Sequence, residues 1–332
     1  MLLRHWQKPI CGRHQGRPEY FIFLKIRKVI QLDKVVLWVI ANNYEKKPMP
    51  NVAIHLIRII MIYFVTSINL AVMGQISFNQ ILELPYQAPD QTIAYGDSEY
   101  QHIEYWQSST DGATQLVILI HGGCWLNAYS ASHIRPIASK LQEHGYAVWS
   151  IEYRRIGDSG GGWPGSFDDI LNAINLVQTS IEANFDNVSI MGHSAGGHLA
   201  LWAATKFSRD SPFYNRLQVK IDRVVALAPI SNLLTYAAGS SSCERATAQL
   251  LGGMPDSQMQ RYELTSPHLL QRNVRTVLLH GEADNIVSVD QSRELERLST
   301  LTTLRAMPEL AHFDLIDPNG AAFQEILEAL DD

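Results

Sequence analysis

The feature that most constrains the fold is a regular alternation of short apolar runs with helix-length amphipathic stretches, which begins near residue 90. This alternation is typical of a mostly parallel sheet covered by helices on both faces, because a strand that is buried on both sides must be apolar throughout. The runs predict strands at 116–121, 147–153, 187–193, 223–229, 276–281 and 303–309. The stretches between them predict helices at 133–144, 166–182, 195–207, 289–300 and 320–330, after a leading hairpin that includes 103–107. We therefore expect an α/β fold.

The segment 230–273 interrupts this alternation. It is rich in Ser, Gly, Ala and Gln, and it is longer than an ordinary connection between two strands. Functional loops gather at the edge of a sheet where binding sites are built. We expect this segment to form a small cap over a pocket and to influence the choice of substrate.

The first part of the chain differs in charge from the rest. Residues 1–58 hold eleven Lys or Arg against three acidic residues, a net charge of +8, so the remaining 274 residues carry −14. Together with the texture change near residue 90, this difference predicts an N-terminal extension over 1–85 and one domain over 86–332. With 332 residues, 46% of them apolar, the chain can bury a sizeable core.

The status of the extension is open. Residues 59–73 form an uncharged, mostly apolar run after Arg58, in the order of a signal peptide that would begin at Met49. The run is shorter than the roughly 20 residues that a transmembrane helix needs. Three interpretations remain: a start later than Met1, export or anchoring through residues 50–75, and a helical extension of the domain. We expect a cytoplasmic protein, with export or membrane anchoring as the alternative.

Several classes of function are excluded by composition and motif. The net charge of −6 and a pI near 6.1 argue against a nucleic-acid partner. The three cysteines are too few and too scattered for a disulfide framework or a CxxC metal site, so we expect the fold to depend on packing. The glycine run 160–162 is not followed by GK[ST], as a phosphate-binding loop would require. We expect neither a metal ion nor a cofactor.

The strongest local motif is GHSAG at 192–196, which fits the pattern GxSxG. It follows an apolar strand and leads into a helix-like stretch, which is the context that a nucleophilic serine requires. Small residues at Gly192 and Gly196 fit a sharp strand-to-helix turn, where larger side chains would collide. We expect Ser194 to be the nucleophile, with its hydroxyl exposed by the turn.

A second motif, HGGCW at 121–125, ends another predicted strand. Glycines allow the backbone to approach a substrate closely, so the N–H groups of Gly123 and Cys124 could join that of Ala195 around a carbonyl oxygen. Each such donor stabilises a transition state by roughly 3 kcal/mol. The motif predicts an oxyanion hole, in which Cys124 acts through its backbone. An ordinary glycine turn is the alternative.

A candidate acid and a candidate base follow the serine in the chain. The order Ser, then Asp or Glu, then His is the one that accompanies a GxSxG turn. Asp284 lies just after a predicted strand, where a loop can direct a carboxylate at an imidazole, and Glu282 is the rival candidate. His312 follows the last predicted strand and precedes the final helix. We expect Ser194, Asp284 and His312 to act together.

The remaining histidines receive structural interpretations. We expect His193 to pack beside the turn, and we expect His121 and His280 to stabilise loops. His198 lies one helical turn after the serine. A pocket for an aromatic group is expected near three further side chains, Trp125, Trp163 and Tyr236.

From about residue 93 to its C-terminus, the chain resembles the α/β-hydrolase superfamily, and in particular hormone-sensitive-lipase-like carboxylesterases and kynurenine formamidases. The resemblance rests on HGGCW, YRR followed by WPGSFDD, GHSAGGHLALW, and HGEAD with HFDLI. It implies the triad Ser194, Asp284 and His312, and oxyanion amides at Gly123, Cys124 and Ala195. Many such esterases carry a third glycine where this chain has Cys124.

The expected activity is hydrolysis of a small ester through an acyl-enzyme. Kynurenine formamidase activity, in which the substrate is a formamide, is one alternative. A catalytically inactive binding protein with the same fold is another, because a fold alone does not prove chemistry. The sequence does not decide the oligomeric state.

Overall fold

The computed structural model describes residues 75–110, 112, 114–180 and 185–332. The signal-like run 59–73 and Cys11, one of the three cysteines, lie outside the described residues. In the part that is described, no helix combines the length and the apolar character needed to span a bilayer.

An eight-stranded sheet organises these residues, with the strand order β1-β2-β4-β3-β5-β6-β7-β8. Its strands are β1 (Gln91–Ala94), β2 (His102–Trp106), β3 (Gln115–Ile120), β4 (Ala147–Glu152), β5 (Asn187–His193), β6 (Arg223–Leu227), β7 (Arg275–Gly281) and β8 (Thr302–Met307). The first two strands pair antiparallel, as expected for the leading hairpin, and β2 also pairs antiparallel with β4. All other neighbouring strands in this order pair parallel, namely β4 with β3, β3 with β5, β5 with β6, β6 with β7 and β7 with β8.

Helices lie between the strands. They are α1 (Phe78–Leu82), α2 (Arg135–Glu143), α3 (Gly165–Asn175), α4 (Val177–Ser180), α5 (Ala195–Ala203), α6 (Leu233–Tyr236), α7 (Ser242–Leu251), α8 (Pro255–Thr265), α9 (Asp290–Arg297) and α10 (Ala321–Asp331). Helices α6, α7 and α8 all belong to the segment 230–273, which the sequence predicts as a cap. The predicted α/β fold is confirmed, and the predicted strands match the observed ones to within about two residues.

The core lies on both faces of the sheet. Successive residues of β3 alternate between two apolar clusters: Ile118 and Ile120 face one, and Val117 and Leu119 face the other. All four side chains are almost completely buried. This burial explains why β3 is an uninterrupted apolar run, because a central parallel strand has no face in water. Because β3, β5, β6 and β7 pair parallel, the carboxyl ends of β3, β5 and β7 lie at the same edge of the sheet.

Candidate active site

Ser194 lies at the turn between β5 and α5, and its backbone is in the left-handed region with φ 56° and ψ −118°. A residue with a Cβ rarely adopts this conformation, and such residues gather at functional sites. The turn is fixed on both sides. The Ser194 N–H donates to the Leu227 carbonyl at 2.8 Å, and the Ser194 carbonyl accepts from the His198 N–H at 3.0 Å.

Glycines make the turn sterically feasible. A Cβ at Gly196 would lie 2.1 Å from the Ile120 carbonyl oxygen, and a Cβ at Gly192 would lie 2.2 Å from the Gly196 carbonyl oxygen. Both clashes are with backbone atoms, which cannot move aside. The structure thus supplies the reason for the small residues on either side of Ser194.

The loop after β3 has three consecutive residues with positive φ: Gly123 at 98°, Cys124 at 54° and Trp125 at 57°. Its curvature brings Gly123 and Cys124 to the same cavity as Ser194. Among the described residues, the backbone N–H groups of Gly123, Cys124 and Ala195 have no protein acceptor. These three donors, which the sequence predicts as an oxyanion hole, are therefore free to bind a carbonyl oxygen.

Asp284 and His312 are in direct contact. The His312 Nδ1–H donates to Asp284 Oδ2 at 2.6 Å, while Asp284 Oδ1 accepts from the N–H groups of Ile286 and Val287 at 2.8 and 2.9 Å. The Asp284 side chain is fully buried. Because Nδ1 carries the proton, Nε2 of neutral His312 is left as the nitrogen that can accept one.

Burial favours the neutral acid at Asp284, but contacts with His280 and His312 outweigh it and hold the pKa of this carboxyl below its ordinary value. His280 lies 3.5 Å from the carboxylate. Asp284 therefore stays ionised near neutral pH, as a partner of an imidazolium must.

The rival acid Glu282 points elsewhere. Its Oε1 accepts from Arg293 Nη2 at 2.5 Å, and both side chains are well exposed to solvent. This geometry favours Asp284 over Glu282 as the group that orients His312.

His193 does more than pack beside the turn. Its Nε2–H donates to the His312 backbone carbonyl at 3.0 Å, and its ring lies 4.5 Å from the His312 ring. Burial, reinforced by the neighbouring His312, lowers the pKa of His193 well below its ordinary value. His193 thus remains neutral and connects the turn at Ser194 to the loop of His312.

Ser194, Gly123, Cys124 and His312 line one cavity of about 150 Å³. Its other lining residues are Phe78, Tyr129, His133, His193, Cys243, Ile286 and Phe313. No sequence motif indicates most of these residues, because they come from separate segments. In the described residues, no group of three or more His, Cys, Asp or Glu side chains is arranged to hold a metal ion.

The three aromatic residues predicted to form the pocket are not among those lining residues. Trp125 is completely buried, and its indole N–H donates to His198 Nδ1 at 3.2 Å. Trp163 instead borders a separate surface depression with Arg261. Tyr236 is 5% exposed and packs in the main apolar core. Bulky aromatic residues are often structural, and their position in the chain does not show which cavity they border.

His198 holds two parts of the site together. It accepts from Trp125, which belongs to the loop after β3 that also holds Gly123 and Cys124, the predicted oxyanion loop. Its Nε2–H donates to the Thr265 carbonyl at 2.9 Å. A neutral imidazole is needed for this pair of contacts, because one ring nitrogen must accept. Burial lowers the pKa of His198 to about 4.

We therefore expect folding stability to fall as the pH drops from 6.5 towards 4. The unfolded chain takes up a proton on His198 near pH 6.5 and the folded chain only near pH 4. The unfolded state therefore binds more protons in this window, and the free energy of unfolding decreases by up to roughly 3 kcal/mol from this residue. Urea denaturation at pH 7 and pH 4.5 measures the change.

The variant His198→Gln isolates this contribution, since an amide can both donate and accept but does not titrate. We expect a weaker pH dependence for it than for wild type. The exposed His144 provides the matched control, His144→Gln. An unchanged slope for His198→Gln would contradict the assignment.

The structure corrects the expectation that the fold depends on packing alone, because it contains one disulfide. Cys124 and Cys243 are joined by a disulfide, with Cα atoms 4.9 Å apart and a sequence separation of 119. The bond connects the oxyanion loop to α7. The sequence did not reveal it because the spacing of two distant cysteines carries no information about their proximity.

Loss of this disulfide is expected to lower the free energy of unfolding by about 2–4 kcal/mol, because the bond closes a long loop and restricts the unfolded chain. Cys243→Ser removes it without altering the oxyanion loop sequence. We expect dithiothreitol to lower the Tm of wild type but not that of Cys243→Ser. A wild-type Tm that is insensitive to the reductant would show that the bond does not contribute.

Comparisons with known proteins agree with the architecture. A family model, BD-FAE, matches residues 104–298, which is more than half of the chain. The chain is 28% identical over 259 residues to the probable carboxylic ester hydrolase LipM of Mycobacterium tuberculosis, covering 72% of this chain and 59% of that protein. It is 24% identical over 257 residues to Esterase LipC of the same organism, with 68% and 60% covered. The chain thus spans less than two thirds of the length of these relatives.

Solved structures show the same fold. Esterase B from Lactobacillus rhamnosis superimposes with a TM-score of 0.64 at 19% identity, covering 85% of this chain and 96% of that one. A truncated carbohydrate esterase from gut microbiota superimposes with a TM-score of 0.62 at 22% identity, covering 74% and 98%. These likenesses agree with an α/β-hydrolase fold, and the match over residues 104–298 shows that the chain belongs to the BD-FAE family.

Proposed function

We propose that this protein is a serine hydrolase that cleaves small carboxylic esters through an acyl-enzyme. The observation that carries the proposal is the convergence of Ser194, His312 and the oxyanion loop on one cavity of about 150 Å³. A nucleophile, a base held by a buried carboxylate, and free N–H donors are the groups that acyl transfer to water requires.

In the first half of the reaction, His312 Nε2 takes the proton of Ser194 as Oγ attacks the carbonyl carbon of the ester. The carbonyl oxygen becomes an oxyanion, and the N–H groups of Gly123, Cys124 and Ala195 stabilise it. His312 then returns the proton to the alcohol oxygen as the carbon–oxygen bond breaks, which leaves an acyl group on Ser194.

In the second half of the reaction, a water molecule takes the position that the departed alcohol had occupied. His312 accepts a proton from the water as it attacks the acyl carbonyl, and the same amides hold the oxyanion. The proton passes to Ser194 Oγ as the acyl group leaves as a carboxylic acid. Asp284 stabilises the imidazolium at both stages and keeps the proton on Nδ1.

The relatives support ester hydrolysis over the other two interpretations. LipM is named as a carboxylic ester hydrolase, and LipC as an esterase. They give no support to kynurenine formamidase activity or to an inactive binding protein. The small cavity favours a small ester, because a pocket of about 150 Å³ leaves little room around the carbonyl carbon.

A hydrolysis panel tests the proposal. We expect 4-nitrophenyl acetate to be hydrolysed with an initial burst of 4-nitrophenol, because deacylation of Ser194 should be slower than its acylation by this activated ester. N-formylkynurenine should be hydrolysed far more slowly. A fluorophosphonate should abolish the activity when one equivalent has reacted. Activity that survives complete reaction with the fluorophosphonate would exclude a serine mechanism. Preferential hydrolysis of N-formylkynurenine would replace the esterase assignment.

The disulfide also supports the exported or anchored alternative for this protein. Disulfides persist in oxidising compartments and are rare in the cytosol. The bond between Cys124 and Cys243 joins two residues that line the cavity, so it forms part of the cavity wall. Sequencing the N-terminus of the native protein, with its thiols titrated in parallel, tests this location.

A further inference from the structure

A short segment ahead of the sheet contributes to the cavity at Ser194. Helix α1 begins at Phe78, before the residues that the family model matches and within the N-terminal extension predicted from sequence. The Phe78 side chain nevertheless lines the cavity together with Ser194 and His312. Phe78 can therefore contact a substrate that is bound at Ser194.

The helix is held firmly in place. Ser77 and Gln80 form a capping box at its start, and Ile81 is completely buried in the core on one side of the sheet. The Ile76 N–H donates to Asp314 Oδ1 at 2.8 Å. The other oxygen of that carboxylate accepts from the Ala311 N–H at 2.7 Å. Asp314 therefore ties this segment to the loop that carries His312.

Aromatic contacts fix the Phe78 ring between two sides of the site. Its centroid lies 5.4 Å from that of Tyr129 and 5.6 Å from that of Phe313. Tyr129 packs against Gly123 of the oxyanion loop so closely that a Cβ at that glycine would clash with it. Phe313 lies 5.2 Å from the His312 ring. Phe78 thus borders the region between the oxyanion donors and His312.

That region is where the alcohol part of an ester must lie. The oxyanion points towards Gly123 and Cys124, while the alcohol oxygen must be within reach of His312, which protonates it. The acyl group occupies the remaining direction at the tetrahedral carbon. We propose that Phe78 is a specificity-determining residue that limits the size of the alcohol group, an inference that rests on the proposed ester hydrolysis.

Two substrate series test this inference in the full chain. The first varies the alcohol with the acyl group constant, from phenyl acetate to 1-naphthyl acetate. The second varies the acyl group with the alcohol constant, from 4-nitrophenyl acetate to 4-nitrophenyl butanoate. For Phe78→Ala we expect the ratio of kcat/KM for naphthyl over phenyl acetate to rise by roughly tenfold or more, as one pocket contact typically changes discrimination. The butanoate-to-acetate ratio should change by less than about twofold.

Matched variants separate this effect from loss of structure. Leu82→Ala alters an exposed residue of the same helix and should leave both ratios unchanged. Phe78→Trp should shift the naphthyl-to-phenyl ratio in the opposite direction to Phe78→Ala, and a thermal melt of each variant monitors folding.

The two substrate ratios show whether Phe78 acts on the alcohol group, on the acyl group or on neither. A change confined to the acyl series would overturn the assignment to the alcohol, and unchanged ratios in both series would overturn any role of Phe78 in specificity. If wild type hydrolyses no ester faster than Ser194→Ala does, the proposed function itself fails, and the inference fails with it.

Discussion

Replacing Ser194 by alanine is expected to lower kcat for 4-nitrophenyl acetate by about 10⁶-fold while leaving the fold intact. The variant loses the atom that forms the acyl-enzyme, and His312 then has no nucleophile to activate. The oxyanion donors remain, so a residual acceleration of roughly 10³–10⁴ over water should persist.

Steady-state kinetics measures this loss, and labelling by a fluorophosphonate with peptide mapping locates the nucleophile. Ser189 offers the matched control, because it is a buried serine on the same strand β5. We expect Ser189→Ala to be labelled at Ser194 and to retain activity. Labelling at another residue, or full turnover by Ser194→Ala, would refute the assignment of the nucleophile.

The second large effect is expected at Asp284. Asp284→Asn should reduce kcat by about 10⁴-fold with little change in KM, because the amide no longer holds the proton on His312 Nδ1 or stabilises the imidazolium. The contact that is lost is the 2.6 Å hydrogen bond between His312 Nδ1 and Asp284 Oδ2.

Glu282→Gln provides the comparison for this variant. Glu282 lies two residues earlier but pairs with Arg293 at the surface, and exposed pairs contribute only about 0–1 kcal/mol to stability. We expect its kcat to stay close to that of wild type. The opposite ranking of the two variants would move the role of the acid to Glu282.

The sheet and the sharp turn at Ser194 could be predicted from local patterns. A strand such as β3 has no face in water, so its burial is visible as a continuous apolar run. At the turn of Ser194, the requirement for Gly192 is also local, because a Cβ there would meet the Gly196 carbonyl oxygen. Gly196 itself is confined by the Ile120 carbonyl oxygen of the neighbouring strand β3. The apolar pattern of a strand and the steric requirement for a glycine at 192 each depend on a few neighbouring residues, so the sequence records both directly.

The choice between acids depended on more than position. Asp284 and Glu282 both follow β7, and chain order alone leaves both open. The structure shows Asp284 buried against His312 and Glu282 turned to Arg293. Which way a loop directs a carboxylate depends on the backbone N–H groups that it can accept from, here those of Ile286 and Val287.

The sequence by itself determined the α/β fold, the positions of the sheet strands along the chain and the motifs that hold the candidate site residues. Only the tertiary structure decided what surrounds Ser194. It placed Phe78 in the cavity and Trp125 against His198, and it joined Cys124 to Cys243 across 119 residues. These contacts join segments that are far apart in the chain, and no local periodicity or propensity encodes such distances. The packing of the whole domain sets them.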